Sequence, residues 1–266
     1  MEIFVINLPR SHARREAMIQ ESEKYDLNIK FFDAVDGGEL TVADKKRLLY
    51  NPDNNLLTNS EIGCALSHIM LYRKIVEEGI PFALILEDDV GFDFDPRPLL
   101  AAIEAYGANE CAVYNFAHWH KTFTRSIARD VGDFQFYRAF DAFGTYGYVI
   151  TKAAAEKLAK FLMPVRAVAD DWKYMLKSGL IRMWMSDKRI LRLKEVSKSS
   201  TIEEQRSAIM RDEAERRRRR AFDCRVHKLV PFSAQFRRLA WKIFARPLLT
   251  FETLGRLDDD DSGSEK

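Results

Sequence analysis

The residues with the clearest chemical potential are Glu87, Asp88 and Asp89, three acids that follow the apolar run Phe82-Ala83-Leu84-Ile85-Leu86 without a break. Like charges side by side repel, and the end of a buried strand is partly desolvated. Such a cluster is costly unless cations or hydrogen bonds offset it. A divalent cation does this well, because hard cations prefer carboxylate oxygens. In open α/β sheets, ligands also bind beyond the carboxyl ends of the strands. Together these point to a metal that bridges the phosphates of a nucleotide. The competing reading is a solvated acidic turn.

Asp93-Phe94-Asp95 is a second acidic pair, but it lies past Gly91 and before Pro96, where no strand positions it. It reads as a turn or helix entry and is the weaker metal candidate. Other phosphate-handling signatures are absent: there is no GxxxxGK[ST] and no GxGxxG, and Gly144-Thr145-Tyr146-Gly147 precedes a strand rather than a helix. There is also no GxSxG and no HExxH. Glu61 and His68 fall on one helical face, and a buried hydrogen-bonded pair supporting the core is expected there. His118 and His120 flank Trp119 after a strand end and read as loop histidines. Cys64, Cys111 and Cys224 are too scattered for a disulfide framework or a zinc site.

The elements that must hold these groups follow from periodicity. Ile3-Phe4-Val5-Ile6 predicts a buried strand, Ser11 to Glu23 a helix, and Ile29-Lys30-Phe31-Phe32 a second strand closed by Asp36-Gly37-Gly38. Asp44 to Thr58, with Asn51-Pro52-Asp53-Asn54-Asn55, predicts a loop. Glu61–Glu78 is the clearest helix, stopped by Gly79 and Pro81. Phe82–Leu86 is apolar throughout, as a strand buried on both faces should be. Cys111–Phe116 and Gly147–Ile150 predict further strands. A helix follows from Lys152 to Leu162, capped by Thr151, and another covers Trp172–Lys177. This alternation predicts an α/β sandwich with a mostly parallel sheet.

The chain has 266 residues, with 42 basic and 40 acidic groups for a net charge of +2. That near-neutral sum hides segregation, because residues 206–246 carry 13 basic and 4 acidic groups. The longest apolar run, Ile80–Leu86, is far short of the ~20 residues of a membrane span. Met1–Arg10 lacks the basic start of a signal peptide. A cytoplasmic protein is expected, and basic charge confined to one end fits nucleic acid poorly.

Several motifs, in order, give the chain a family resemblance. Val5-Ile6-Asn7-Leu8 with Arg14-Arg15, Phe32-Asp33-Ala34-Val35-Asp36-Gly37 and Glu61-Ile62-Gly63-Cys64-Ala65-Leu66-Ser67-His68 come first. They are followed by Leu84-Ile85-Leu86-Glu87-Asp88-Asp89-Val90, Gly144-Thr145-Tyr146-Gly147-Tyr148-Val149-Ile150 with Ala155-Glu156-Lys157-Leu158, and Asp170-Asp171-Trp172. Over about residues 1–202 the sequence resembles glycosyltransferase family 25, the bacterial lipooligosaccharide galactosyltransferases and related collagen galactosyltransferases.

The resemblance implies a GT-A type, Rossmann-like fold and inverting transfer of a sugar, with UDP-galactose the expected donor. It implies Mn2+ or Mg2+ held by Asp89 with Glu87 or Asp88. It places Asn7, Leu8, Arg14 and Arg15 near uracil and ribose, and the base in Asp170 or Asp171, unless one of these caps the following helix. Ser199-Ser200-Thr201-Ile202 is similar to a short serine motif late in the family, and phosphate binding is the expectation there. The implied acceptor is a lipid-linked lipooligosaccharide or lipopolysaccharide glycan at the inner face of the bacterial inner membrane. The alternative is a metal-dependent phosphoryl-transfer enzyme or nuclease using the same acids.

Residues 1–202 are expected to form the catalytic domain, and 203–266 a basic helical extension with an acidic tail, Asp258–Asp261. Arg216–Arg220 is an unbroken arginine run. Beyond it Phe232, Phe236, Leu239, Ala240, Ile243 and Phe244 recur at helical spacing among Arg237, Arg238, Lys242 and Arg246. A basic amphipathic helix of this kind suits an anionic membrane surface. The alternative is a stripe packed on the catalytic domain, with the arginines solvated or paired with the acidic tail.

Overall fold

The computed structural model describes residues 1–107, 110–117, 121–186, 188–194, 212–244 and 246–254. His118, His120, Ser199–Ile202 and Asp258–Asp261 lie outside the described residues, as does the expected boundary at 202. In chain order the elements are β1 (Glu2–Asn7), α1 (His12–Lys24), β2 (Ile29–Asp33), α2 (Val42–Leu48), α3 (Asn59–Glu77), β3 (Phe82–Glu87), β4 (Val90–Phe92), α4 (Arg97–Gly107) and β5 (Ala112–Asn115). There follow β6 (Lys121–Val131), β7 (Phe134–Asp141), β8 (Gly147–Thr151), α5 (Lys152–Phe161), α6 (Trp172–Lys177), β9 (Arg182–Ser186) and β10 (Leu191–Leu193). The C-terminal elements are α7 (Glu213–Val226), α8 (Phe232–Phe244) and β11 (Glu252–Leu254).

Among the described residues, nine strands form one sheet in the order β11-β6-β7-β9-β5-β8-β3-β1-β2. The α/β class is as expected, and the sheet is mixed. Parallel pairing joins β1 to β2, β1 to β3 and β5 to β9. The β8 strand inserts antiparallel between β3 and β5, and β9, β7, β6 and β11 continue antiparallel. The β6–β7 hairpin turns at Gly132, whose φ of 58° is in the left-handed region.

The sheet separates two apolar layers. In β3, Ala83 and Ile85 face the layer of α3, α5, α6 and α7, while Phe82, Leu84 and Leu86 face that of α1 and α4. This period-two division explains why the whole strand is apolar. The turn at Asp36-Gly37 packs on α3 so closely that a Cβ on Gly63 would lie 2.7 Å from the Gly37 nitrogen. Both glycines are required by that backbone approach.

The loop expected from Asp44 to Thr58 instead begins inside a helix and is loop only from Leu49 on, interrupted by one short turn. Thr41 and Asp44 form a reciprocal capping box that starts α2, and Pro52–Asn54 is a short 3-10 turn. The C-terminal region is joined to the body. Phe222 and Val226 of α7 are buried in the α3 layer, and β11 pairs with β6. The side chain of Arg219 in the arginine run is largely buried and grips Glu61 with two bonds, of 2.9 and 3.1 Å.

Candidate active site

The β3 strand delivers the three acids to the end of the sheet beside the end of β1, with which it pairs in parallel. Asn7, the last residue of β1, donates from Nδ2 to Asp88 Oδ2 at 2.7 Å. Arg14, in the first turns of α1, donates to Asp88 Oδ1 at 2.8 Å and to Asp89 Oδ2 at 3.4 Å. Both oxygens of Asp88 are thus engaged by protein donors. Leu8 serves the turn between β1 and α1, its carbonyl accepting from Ser11 N. Arg15 points elsewhere, with its guanidinium 3.8 Å over the Phe31 ring.

Asp88 and Asp89 are both buried. Burial raises the Asp89 carboxyl above its ordinary range, and Arg14 opposes that rise. Glu87 is pushed up to about 8, first by burial and then by the negative charges of Asp89, Asp170 and Asp88, while a hydrogen bond from Thr145 pulls the other way. The acids repel one another and are only partly neutralised. Asp89 Oδ1 and Asn7 Oδ1 are buried with no hydrogen-bond partner among the described residues. Orphaned hard oxygens beside unbalanced carboxylates fit a divalent cation. The ligand atoms that converge as a triplet among the described residues are those of Cys64, His68 and Glu87, within 4.8 Å of one another. The three consecutive acids do not form such a triplet.

The Gly144–Gly147 segment ties the downstream acids to the cluster. Trp172 is fully buried, stacks edge-on to Tyr148 and donates from Nε1 to Gly144 O at 2.8 Å. Thr145 in turn donates to Glu87 Oε1. This anchorage brings Asp170 near enough for its charge to act on Glu87. Asp171 has a different environment. Its Oδ1 caps α6 by accepting from Tyr174 N at 3.0 Å, and its Oδ2 lies 2.6 Å from His227 Nε2. His227 also meets Lys177 Nζ at 2.9 Å and stacks on Tyr174. No local signal in the sequence pairs His227 with Asp171, 56 positions away.

The weaker acidic pair is structural. Asp93 binds Arg189 at 2.6 Å, and Asp95 accepts from the backbone and side chain of Arg97 at the start of α4. Glu61 and His68 are both buried, as expected, but they do not pair with each other. Glu61 closes the α3 capping box and meets Arg219. His68 Nδ1 meets Tyr148 Oη at 2.7 Å, and Tyr148 Oη meets Tyr72 Oη at 2.7 Å. Sequence reasoning also missed Glu21, a buried acid that accepts from Phe92 N and faces Arg192 and Lys194, so fastening β4 and β10 to α1.

The sequence is similar to several known proteins. Procollagen galactosyltransferase 2 of Homo sapiens is 34% identical over 100 residues, covering 35% of this chain and 16% of that protein. The inactive glycosyltransferase 25 family member 3 of Homo sapiens is 34% identical over 104 residues, covering 36% of this chain and 18% of that protein. The chain therefore spans about a sixth of the length of these relatives. Among solved structures, a glycosyltransferase involved in glycosylating the major capsid of PBCV-1 superposes with a TM-score of 0.35 and 12% identity, over 63% of this chain and 67% of that one. The profile described as glycosyltransferase family 25 (LPS biosynthesis protein) matches residues 1–173, well over half of the sequence, and the chain belongs to that family.

Proposed function

We propose that this protein is a metal-dependent inverting glycosyltransferase that moves galactose from UDP-galactose to a lipooligosaccharide or lipopolysaccharide glycan. The observation that carries the reading is the buried, under-neutralised acid cluster at the end of β3, held by Asn7 and Arg14 and within reach of the charge of Asp170. Asp89 and Glu87 would hold Mn2+ or Mg2+, and the bound ion supplies positive charge against the departing diphosphate. Asp88 fixes Asn7 and Arg14, which turn the ends of β1 and α1 toward the nucleotide. Asp170 is the base: its carboxylate takes the proton of the acceptor hydroxyl as the new glycosidic bond forms. Asp171 holds α6 and His227 in place.

The lipid-linked acceptor fits the exposed face of α8, which supports a peripheral site on the inner face of the bacterial inner membrane. Phe232, Phe236, Ile243 and Phe244 are 82%, 67%, 56% and 74% exposed. They form an apolar face in a segment rich in arginine and lysine, the composition that binds anionic lipid. Among the described residues, no helix is long and apolar enough to cross a membrane.

The test is a donor screen with Mn2+, using UDP-galactose, UDP-glucose, UDP-N-acetylglucosamine and a GDP-sugar. Release of UDP from UDP-galactose that stops on chelation and in Asp89→Ala is expected. Metal-dependent cleavage of nucleic acid without sugar turnover would overturn the reading in favour of phosphoryl transfer.

A further inference from the structure

A cavity of about 1110 Å³ lies between β6, β7, β9, β11, α6 and α8. None of Asn7, Arg14, Glu87, Asp88, Asp89 or Asp170 lines it. Its wall carries Arg129, Arg138, Lys173, Lys177, Arg182 and Arg246 against a single acid, Asp141. That acid is already taken by Lys173 at 2.7 Å. Glu110 answers Arg129 at 2.6 Å and Arg182 at 3.5 Å.

Arg138 has no ion pair among the described residues, and its Nη1 is buried without a hydrogen-bond partner. Burial and the positive charges of Arg182 and Arg129 pull its guanidinium down to about 10. Two more buried donors on this wall lack acceptors among the described residues, Arg129 Nε and Nε1 of Trp184, a residue that is 4% exposed. Buried donors without acceptors cost free energy, most of all when charged. Three of them on a cationic wall suit an anion, and guanidinium groups bind phosphate or carboxylate through paired bonds.

The rest of the wall is aromatic. Phe140 stacks on Trp241 at 4.9 Å and meets Phe251 edge-on at 5.3 Å. Flat rings beside cations match the apolar faces of sugars that bear charged groups. The cavity shares an element with the candidate base, because Lys173 and Lys177 of its wall lie on α6, which follows Asp170 and Asp171 in the chain. Trp241 and Ala234 bring α8 into the same wall.

We propose that this cavity binds the phosphate- or carboxylate-bearing part of the acceptor glycan, with Arg138 and the Trp184 indole as its donors and Phe140 and Trp241 under a sugar ring. The anion site stands on the cavity alone, while its assignment to the acceptor rests on the glycosyltransferase reading. The other source of a bound anion would be the diphosphate of the nucleotide.

The test is calorimetric titration of the full-length protein with three probes: a phosphorylated lipopolysaccharide-core oligosaccharide, the same oligosaccharide after phosphatase treatment, and UDP with Mn2+. The parent should bind the phosphorylated form at least tenfold more tightly than the treated form. Arg138→Met should abolish that preference, Arg138→Lys should keep part of it, and UDP affinity should be unchanged in both. The melting temperature of Arg138→Met should hold or rise, since an uncompensated buried charge is removed. Trp184→Phe, which keeps the aromatic packing, should weaken the phosphorylated probe several-fold. Unchanged affinity for that probe in Arg138→Met and Trp184→Phe overturns the proposal, as does loss of UDP binding in Arg138→Met. If Arg138-dependent glycan binding persists in a protein that turns over no sugar nucleotide, the transferase reading fails and the anion site remains.

Discussion

His227 Nε2 lies 2.6 Å from Asp171 Oδ2, so a histidine at the end of α7 holds one of two adjacent acids at the start of α6. The contact divides the labour of the pair. Asp171 is committed to Tyr174 N and His227, while Asp170 is the one whose charge reaches Glu87. Asp170→Asn is expected to lower kcat by about 10²–10⁴ with little change in melting temperature. Asp171→Ala, which removes the cap of α6, should instead cost about 1 kcal/mol of stability, and both it and His227→Ala should keep most of the activity. Steady-state rates and thermal melts on all three variants decide it, and the reverse pattern would move the base to Asp171.

Removing Arg219 should be the most damaging change in the arginine run. Its side chain is 11% exposed and that of Glu61 is 1% exposed, and truncation leaves the acid buried without its cation. Such a loss costs about 3–5 kcal/mol. Arg217→Ala, an exposed change beside Glu213, should stay within about 0.5 kcal/mol. Denaturant melts of the two variants separate a structural role from a generic charge effect.

The stability of the α3 layer should depend on acid. Burial holds the His68 imidazole down to about 3, against about 6.5 in an unfolded chain. The unfolded state therefore takes up a proton between about pH 6.5 and 3 that the folded state refuses. Stability is unaffected above that window and falls as pH drops through it, by at most about 1.4 kcal/mol per unit. In His68→Gln this dependence disappears, so the stability gap between variant and parent should narrow from pH 7 to pH 4. A constant gap would show that His68 does not titrate in that range.

Asp89→Ala should abolish Mn2+-dependent protection of the protein by UDP while leaving the melting temperature of the free protein equal or higher. The raised carboxyl marks Asp89 as a residue that the fold carries at a cost. A thermal-shift titration reads both effects, and retained Mn2+-dependent protection would exclude Asp89 as a ligand.

Membrane attachment should depend on the exposed rings of α8. Phe236→Ser with Phe244→Ser is expected to lower recovery on anionic vesicles by an order of magnitude while the melting temperature stays put, because neither side chain is buried. Equal recovery on anionic vesicles would remove the membrane from the function.

The parts legible in the sequence are those set by local pattern. The apolar β3 run leading into three acids, the helical spacing of α3, and the caps Thr151 and Asp171 all rest on neighbours within a few residues. The capping box at Thr41 was equally local, yet the polar, proline-containing stretch after it hid α2. The β6–β7 hairpin was obscured by its register shifts, although Gly132-Asp133 is the kind of pair that turns a hairpin. Arg219 on Glu61, His227 on Asp171 and Arg192 on Glu21 could not be read at all. They join residues 158, 56 and 171 positions apart, where no periodicity connects the partners.

The docking of Arg219 on Glu61 also sets an order of events on the ribosome. The α3 helix is synthesised long before α7, so its buried carboxylate waits without a counter-charge until about 160 further residues have been made. The β6 strand likewise presents an open edge to the nascent sheet until β11 emerges to pair with it. Elements that sequence alone would set apart as an appendage therefore act as the closing clasp of the α/β body. Stalling translation before Arg219 should leave a chain with nearly every candidate site residue made and no stable fold to hold them.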